Sequence, residues 1–313
     1  MELRWLTLED PGRRAAVVTA ALVLACACQI ERHPPPPPAP PPAPYASTRS
    51  GVVGEAGGRA VLRVPPDSEI PNSELGRAIR RGKALLANTG DSLPGNVGSA
   101  LRCFSCHLQE GTQVRSLPLV GVYSRFPQYR SRNGLVNLLE DRINDCFERS
   151  LNGKALPRDG GDMRDIVAWL AWISRGVPPP GAVRGMGIGN VEMLGGDTAR
   201  GREVFARVCT RCHGPDGQGT TLAPPLWGPR SFNIGAGMAR LRTATAFIRY
   251  NMPNDGAVTL TDQQATDVAA YIVSRPRPDF ARKALDWPNG DPPSDVGYAT
   301  HAAAAKAAAA RRP

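Results

Sequence analysis

Two stretches of this 313-residue chain decide its fold: Cys103-Phe104-Ser105-Cys106-His107 and Cys209-Thr210-Arg211-Cys212-His213. Both have the form CxxCH, which is typical of covalent haem attachment. The two thiols can each form a thioether with a haem vinyl group, and the histidine that follows can bind the iron. The sequence therefore predicts two covalently bound haem c groups, attached through Cys103, Cys106, Cys209 and Cys212, with His107 and His213 as iron ligands.

Two other uses of CxxC are a disulfide within the motif and half of a zinc site. Zinc requires four ligands, and the other histidines, His33 and His301, lie in the terminal parts of the chain. The same shortage of histidines disfavours a second histidine at either iron. We therefore expect a different kind of second ligand at each site.

The second iron ligands are predicted from an internal repeat. Cys146 lies 39 residues after His107, and Met252 lies 39 residues after His213. The sequence Met252-Pro253 resembles the distal loop of class I cytochromes c, which favours Met252 as a ligand of haem 2. Met238 is the alternative in this half.

In the first half, Cys146 occupies the position of Met252, and Met163 is the conventional alternative. Aligning residues 167–170 with residues 268–271 places Met163 opposite Gln264, on a helix, where packing is its expected role. A free cysteine is often a small buried hydrophobe. The equal spacing nevertheless favours Cys146 as the second ligand of haem 1.

Pro118 and Pro225 follow the two motifs at nearly the same offset. Both resemble the proline of small class I cytochromes c, whose carbonyl accepts a hydrogen bond from the proximal imidazole. Such a bond orients the ring and raises its basicity.

The predicted fold class is all-α, with two class I cytochrome c-like helical domains joined by a linker and with disordered N- and C-terminal tails. Apolar helical patterns precede each motif and close each half. The predicted divisions are a signal peptide (1–25), a Pro-rich linker (26–66), a catalytic haem 1 domain (67–177), an interdomain linker (178–195), an electron-transfer haem 2 domain (196–281) and a low-complexity tail (282–313).

The N-terminal segment has the pattern of a secretory signal, with an apolar run over residues 15–25 after two arginines. Val23-Leu24-Ala25-Cys26 resembles a bacterial lipoprotein cleavage box, so Cys26 is the predicted lipidated residue and Cys28 a second candidate. Cleavage without a lipid is the alternative. Haem c is attached outside the cytoplasm, and we therefore expect a periplasmic protein anchored to the membrane.

The formal net charge is +10. No nucleic-acid-binding motif is present, so an acidic partner or a small anion is the expected counterpart. Arg142 and Arg149 lie within one helical turn of Cys146, and Arg130 and Arg132 precede them. A cationic pocket over a cysteine-ligated haem suits a small sulfur anion, although a solvated basic face is the alternative.

At residues 143–156 the sequence, Ile-Asn-Asp-Cys-Phe-Glu-Arg-Ser-Leu-Asn-Gly-Lys-Ala-Leu, resembles the cysteine-ligand segment of dihaem thiosulfate dehydrogenases. Residues 231–238 and 251–253 also match that family, and the resemblance covers about residues 68–280. It implies Cys146 as the axial ligand of the active-site haem, and Arg132, Arg142 and Ser150 as substrate-pocket residues. It also implies Met252 as the ligand of the second haem. Some members have a lysine beside that methionine that can replace it, whereas this chain has Asn251.

The resemblance implies oxidation of two thiosulfates to tetrathionate, or the reverse reduction. Cys146 would leave the iron and hold a sulfur-linked intermediate, which a second thiosulfate attacks. Electrons would pass from haem 1 to haem 2 and on to an external acceptor, another cytochrome or redox protein. The alternatives are a non-catalytic dihaem electron-transfer lipoprotein, a different sulfur-compound oxidase and a haem-based sensor.

Overall fold

The computed structural model describes residues 52–56, 60–180, 183 and 185–310. The predicted signal segment, Cys26, Cys28 and the Pro-rich run lie outside the described residues. Within them, no helix is both long enough and apolar enough to cross a bilayer.

The secondary structure is mainly helical, which confirms the predicted all-α class. The helices are α1 (Glu74–Ala87), α2 (Thr89–Ser92), α3 (Leu108–Gly111), α4 (Leu139–Asp145), α5 (Gly161–Ile173), α6 (Thr198–Val204), α7 (Thr210–His213), α8 (Leu241–Asn251), α9 (Asp262–Val273) and α10 (His301–Ala309). Two π-helical turns, Cys146–Ser150 and Phe205–Cys209, continue α4 and α6. Single 3₁₀ turns lie at Asp67–Glu69, Cys103–Ser105, Tyr123–Arg125, Gly237–Ala239 and Lys283–Leu285.

In the described part of the chain, four short strands form two antiparallel hairpins. β1 (Val52–Ala56) pairs with β2 (Ala60–Arg63), within the predicted Pro-rich linker. β3 (Gln128–Arg130) pairs with β4 (Leu135–Asn137), and Arg130 lies opposite Leu135. The second hairpin leads directly into α4, which carries the chain to Cys146.

Two hydrophobic clusters form the core, one for each haem-attachment motif. The first includes apolar residues of α1 and α5, among them Ile79 and Met163, and the second includes Val204 of α6 and Val268 of α9. Phe232 and Ala236, which follow the second motif, are buried in the first cluster. The two halves therefore share packing along the segment after the second motif.

The first and last helices of each half cross at a glycine. A Cβ atom on Gly82 of α1 would lie 1.9 Å from the carbonyl oxygen of Asp165 in α5. A Cβ atom on Gly201 of α6 would lie 2.0 Å from the carbonyl oxygen of Asp267 in α9. Only glycine permits such a close approach. The same crossing in both halves confirms the internal repeat.

The crossings also set the register of the repeat. Asp165 corresponds to Asp267, so Met163 corresponds to Ala265 rather than to Gln264, and the alignment predicted from sequence was displaced by one residue. Met163 is fully buried in the first cluster, in agreement with a packing role. Sequence alone missed the register because both helices contain adjacent apolar residues that fit either alignment.

The C-terminal segment makes defined contacts, whereas the sequence led us to expect a disordered tail. Asp286 and Trp287 are both buried, and Asp286 accepts hydrogen bonds from Arg149 and from the hydroxyl of Tyr298. Asp295 accepts from Arg240. These polar contacts are long-range in sequence, so the Pro-rich composition gave no indication of them.

Candidate haem and anion site

The first site is built on a 3₁₀ turn that presents the CxxCH motif. Thr89, at the start of α2, accepts a hydrogen bond from the backbone N–H of Cys103 at 3.2 Å. Ser116 donates to the carbonyl of Cys106 at 2.9 Å. The five cysteines in the described part of the chain are unpaired, so neither CxxC motif forms a disulfide.

Both motif histidines use Nδ1 for a backbone hydrogen bond. The ring of His107 lies 2.5 Å from the Leu117 carbonyl oxygen, and the ring of His213 lies 2.8 Å from that of Pro224. These carbonyls belong to the residues just before Pro118 and Pro225, so the prediction of the accepting residue was wrong by one position in each half. Nε2 of each ring takes no part in these backbone bonds and can bind an iron atom, and with the free motif thiols these residues fit haem c.

Cys146 begins the π-helical turn that extends α4. Arg142 and Ser150 lie four residues before and after it, and Nη1 of Arg142 donates to Sγ of Cys146 at 2.9 Å. Residues four apart on a helix lie on the same side. The structure therefore brings Arg142 and Cys146 together, and Ser150 ends the π-helical turn that Cys146 begins.

The electrostatics distinguish Cys146 from the motif cysteines. Burial raises the pKa of Cys146, but the charge of Arg142 and interactions with His107 outweigh that effect and lower it to about 7. Burial raises the pKa of Cys103 and of Cys106 to about 12. Cys146 is thus the thiol of this group that most readily forms a thiolate, the form that binds metals and attacks sulfur.

Two further arginines belong to the same site. Burial lowers the pKa of Arg125, and the neighbouring charges of Arg142 and Arg130 lower it further. Burial and Arg142 likewise lower the pKa of Arg130, whereas Asp145 and Cys146 raise it. Nε of Arg125 is buried without a hydrogen-bond partner among the described residues.

Sequence reasoning missed Arg125 and treated Arg130 only as added charge. Arg125 ends the 3₁₀ turn Tyr123–Arg125, and Arg130 ends β3. Their meeting point depends on the path of the intervening loop, which no local pattern encodes. Clustered, partly buried cations are unfavourable without an anion, so this group can hold a small anion beside Cys146.

Arg132 and Arg149 lie in a second cationic group, on the side of the C-terminal segment. Arg132 donates to the Gly235 carbonyl at 2.5 Å, and its guanidinium lies 4.7 Å from the Trp287 ring centroid. Arg149 forms a two-pronged ion pair with Asp286 at 2.7 and 2.8 Å. Arg149 was expected to favour the thiolate, but its charge is matched by a carboxylate 137 positions away, which sequence spacing could not reveal.

The second site has a different surround, since Arg249, three residues before Met252, pairs with the Asp262 carboxylate. α8 ends at Asn251, and Met252 follows in extended backbone and packs against the second cluster. Met238, the alternative ligand, packs instead against the first cluster. Burial lowers the pKa of His213, although its hydrogen bond to Pro224 opposes that change.

Two helical cores, each with a CxxCH motif whose histidine is oriented by a backbone carbonyl, define a c-type cytochrome. Comparison with known proteins agrees with this class. Residues 95–178 match the SoxA/TsdA cytochrome c domain, and residues 196–272 match the family model of cytochrome c oxidase, cbb3-type, subunit III.

Full-length relatives narrow the class to one family. Thiosulfate dehydrogenase of Psychrobacter arcticus is 42% identical over 248 residues, which are 77% of this chain and 76% of the relative. That of Allochromatium vinosum is 43% identical over 241 residues, which are 74% of this chain and 87% of the relative. The chain therefore belongs to the thiosulfate dehydrogenase family.

A solved structure supports the same placement. Thiosulfate dehydrogenase (TsdBA) from Marichromatium purpuratum in its as-isolated form is 34% identical, with a TM-score of 0.69. The match covers 72% of this chain and 51% of that one, so this chain corresponds to about half of the Marichromatium chain.

Proposed function

We propose that this chain oxidises two thiosulfates to tetrathionate at Cys146, with two electrons passing through two haem c groups to an external redox protein. The observation that carries this proposal is the 2.9 Å contact between Arg142 and Cys146 beside His107 and two further arginines. When bound, haem c takes up one electron at a time, so two haems suit a two-electron reaction. His107 and Cys146 are the proposed ligands of haem 1, and His213 and Met252 those of haem 2.

The sulfur chemistry balances at the cysteine. The Cys146 thiolate and one thiosulfate form an Sγ–S–SO₃⁻ adduct, in which a new S–S bond joins Sγ of Cys146 to the outer sulfur of thiosulfate, and two electrons are released. A second thiosulfate attacks the outer sulfur of that S–S bond, tetrathionate leaves and the thiolate returns. No proton is consumed, and the same steps in reverse reduce tetrathionate.

The arginines make the approach of two dianions feasible. At about 5 Å and an effective dielectric constant of about 20, two dianions repel by roughly 13 kcal/mol. Arg142, Arg130 and Arg125 are fixed before the reaction, and preorganised charges stabilise such an encounter without reorganisation. Ser150, at the end of the π-helical turn that begins at Cys146, is the proposed hydroxyl donor to the bound anion.

The direct test is reduction of ferricyanide by thiosulfate with the purified holoprotein. We expect turnover in the wild type and loss of it in Cys146→Ser, with haem content unchanged. Met163→Leu, which alters a buried residue of the same half, is the matched control and should retain turnover. If a chemical reductant reduces the haems of the wild type but thiosulfate does not, the protein is instead a non-catalytic electron carrier.

We also propose that the protein is periplasmic and anchored through a lipid on Cys26. Haem c attachment outside the cytoplasm supports the compartment, and the lipoprotein-like box supports the anchor. Membrane fractionation should find the wild type and Cys28→Ser with the membrane and Cys26→Ser in the soluble fraction. An unchanged distribution of Cys26→Ser would exclude this anchor.

A further inference from the structure

Asn251, the residue before Met252, is buried and crosses from the second half to the first. Its side-chain amide donates to the Arg115 carbonyl at 3.0 Å and to the Phe247 carbonyl at 3.0 Å. Its Oδ1 accepts from Nε2 of Gln113 at 2.8 Å. Only 4% of Asn251 is exposed, so removal of these hydrogen bonds would leave buried polar groups without those partners.

The loop that Asn251 contacts is the one behind the first haem-attachment motif. Within residues 113–117, Ser116 donates to the Cys106 carbonyl and Leu117 provides the carbonyl beside Nδ1 of His107. Arg115 and Leu117 have φ values of 59° and 53°. Left-handed backbone at such residues is strained and persists only where surrounding contacts fix it.

One further contact joins the same loop to the end of α8, and two more join it to the interdomain segment. The Arg115 guanidinium lies 4.6 Å from the Tyr250 ring centroid. Arg115 and Leu117 also donate backbone hydrogen bonds to Gly185 and Gly187 of the interdomain segment. The loop is thus held on three sides: by the first motif, by the interdomain segment and by the residues before Met252.

We propose that Asn251 is a positioning residue, which holds Met252 on the iron of haem 2 by tying it to the loop that orients His107 of haem 1. This inference rests on the proposed Met252 ligand and not on the identity of the substrate. The proposal also gives a role to the three side-chain hydrogen bonds of Asn251, the residue before the methionine ligand. The His107 loop and the Met252 segment would then move as one unit.

The test is competition between Met252 and added imidazole in the ferric holoprotein, followed at haem 2 by its methionine absorption band and by electron paramagnetic resonance. Loss of buried hydrogen bonds costs about 1–3 kcal/mol, and 1.4 kcal/mol is a tenfold change. We therefore expect imidazole to bind haem 2 about tenfold more tightly in Asn251→Leu. Gln113→Leu, in the other half, should give a change of about threefold in the same direction.

Asn233→Leu is the matched control. Asn233 is 2% exposed and donates across the two halves to the Glu148 carbonyl and to Asn152, but it lies away from Met252 in the chain. Its substitution should leave imidazole binding at haem 2 unchanged. The double variant of Asn251 and Gln113 should bind imidazole no more tightly than Asn251→Leu alone.

Unchanged imidazole binding in Gln113→Leu would overturn the proposal even if Asn251→Leu failed to fold. An equal change in Asn233→Leu would also overturn it, since general loosening of the junction would then suffice. If the wild type lacks a methionine band, the ligand assignment fails along with this inference. Thiosulfate turnover could still be present, so the proposed reaction is tested separately.

Discussion

α4 and α8 both end 38 residues after their motif histidine, yet the chain continues differently beyond them. α4 continues through a π-helical turn to Ser150, which keeps Cys146 inside a helix and one turn beyond Arg142. α8 ends at Asn251, so Met252 lies in extended backbone. One framework thus presents a thiol among cations in the first half and a thioether against apolar residues in the second. The residues that directly follow α4 and α8 therefore distinguish the proposed reactive site from the proposed electron relay.

The largest effect is expected when the first site is given the kind of ligand that the second site has. We expect Cys146→Met to bind haem and to lower thiosulfate turnover by at least about a thousandfold, since loss of a nucleophile commonly costs several orders of magnitude. Steady-state ferricyanide reduction measures the effect. Retention of more than a tenth of wild-type turnover would mean that the two sites differ in ligand but not in role.

Removing the cations around Cys146 should have a smaller effect. Arg142→Gln loses a charge-assisted hydrogen bond, worth about 1.5–3 kcal/mol, and we expect kcat/KM for thiosulfate to fall about 10- to 100-fold. Arg125→Gln should chiefly raise KM, by several-fold, because Arg125 attracts the anion without touching Cys146. Arg164→Gln, an exposed arginine of α5, is the charge-matched control. Equal effects of Arg125 and Arg164 would exclude Arg125 from the pocket.

The smallest expected effect is on stability, at the equivalent positions Asp165 and Asp267. The Asp267 carboxylate is 3% exposed and accepts hydrogen bonds from Arg200, Gln263 and the Asp197 backbone. Among the described residues, the Asp165 carboxylate pairs with Arg81 alone, and Arg81 is half exposed. We expect Asp267→Asn to lower the free energy of unfolding by about 2 kcal/mol and Asp165→Asn by less than about 1 kcal/mol.

The Asp267 carboxylate also makes the stability of the folded protein depend on pH. Burial alone would raise the pKa of Asp267, but the hydrogen bonds from Arg200, Asp197 and Gln263 lower it below its ordinary value. The stabilisation is therefore present at neutral pH and is lost as pH falls through the folded-state pKa. Denaturant titrations at pH 7 and at pH 3 should show the difference between wild type and Asp267→Asn shrinking at the lower pH. A constant difference would contradict this assignment.

Sequence alone sufficed for features set by local spacing. The CxxCH motifs and the equal distance to Cys146 and Met252 are read directly from the sequence, and helical periodicity places Arg142 beside Cys146. The all-α class and the repeat likewise follow from patterns within short windows.

Features set by long-range contacts were not accessible in this way. Arg149 faces Asp286, a residue 137 positions away, and Arg125 meets Arg130 through an irregular loop. The carbonyls beside His107 and His213 come from Leu117 and Pro224, each one residue before the predicted proline. The path of the backbone decides which oxygen lies beside the ring. Such details depend on how the loops return to the core.

The two haem sites are proposed to have different second ligands. Low-temperature electron paramagnetic resonance of the oxidised holoprotein distinguishes these ligands directly. We predict two low-spin ferric species, one with the narrow g-spread of histidine–thiolate ligation and one typical of histidine–methionine ligation. Cys146→Ala should abolish only the first, and Met252→Ala only the second. Two identical species in the wild type, or loss of the thiolate species in Met252→Ala, would contradict the account.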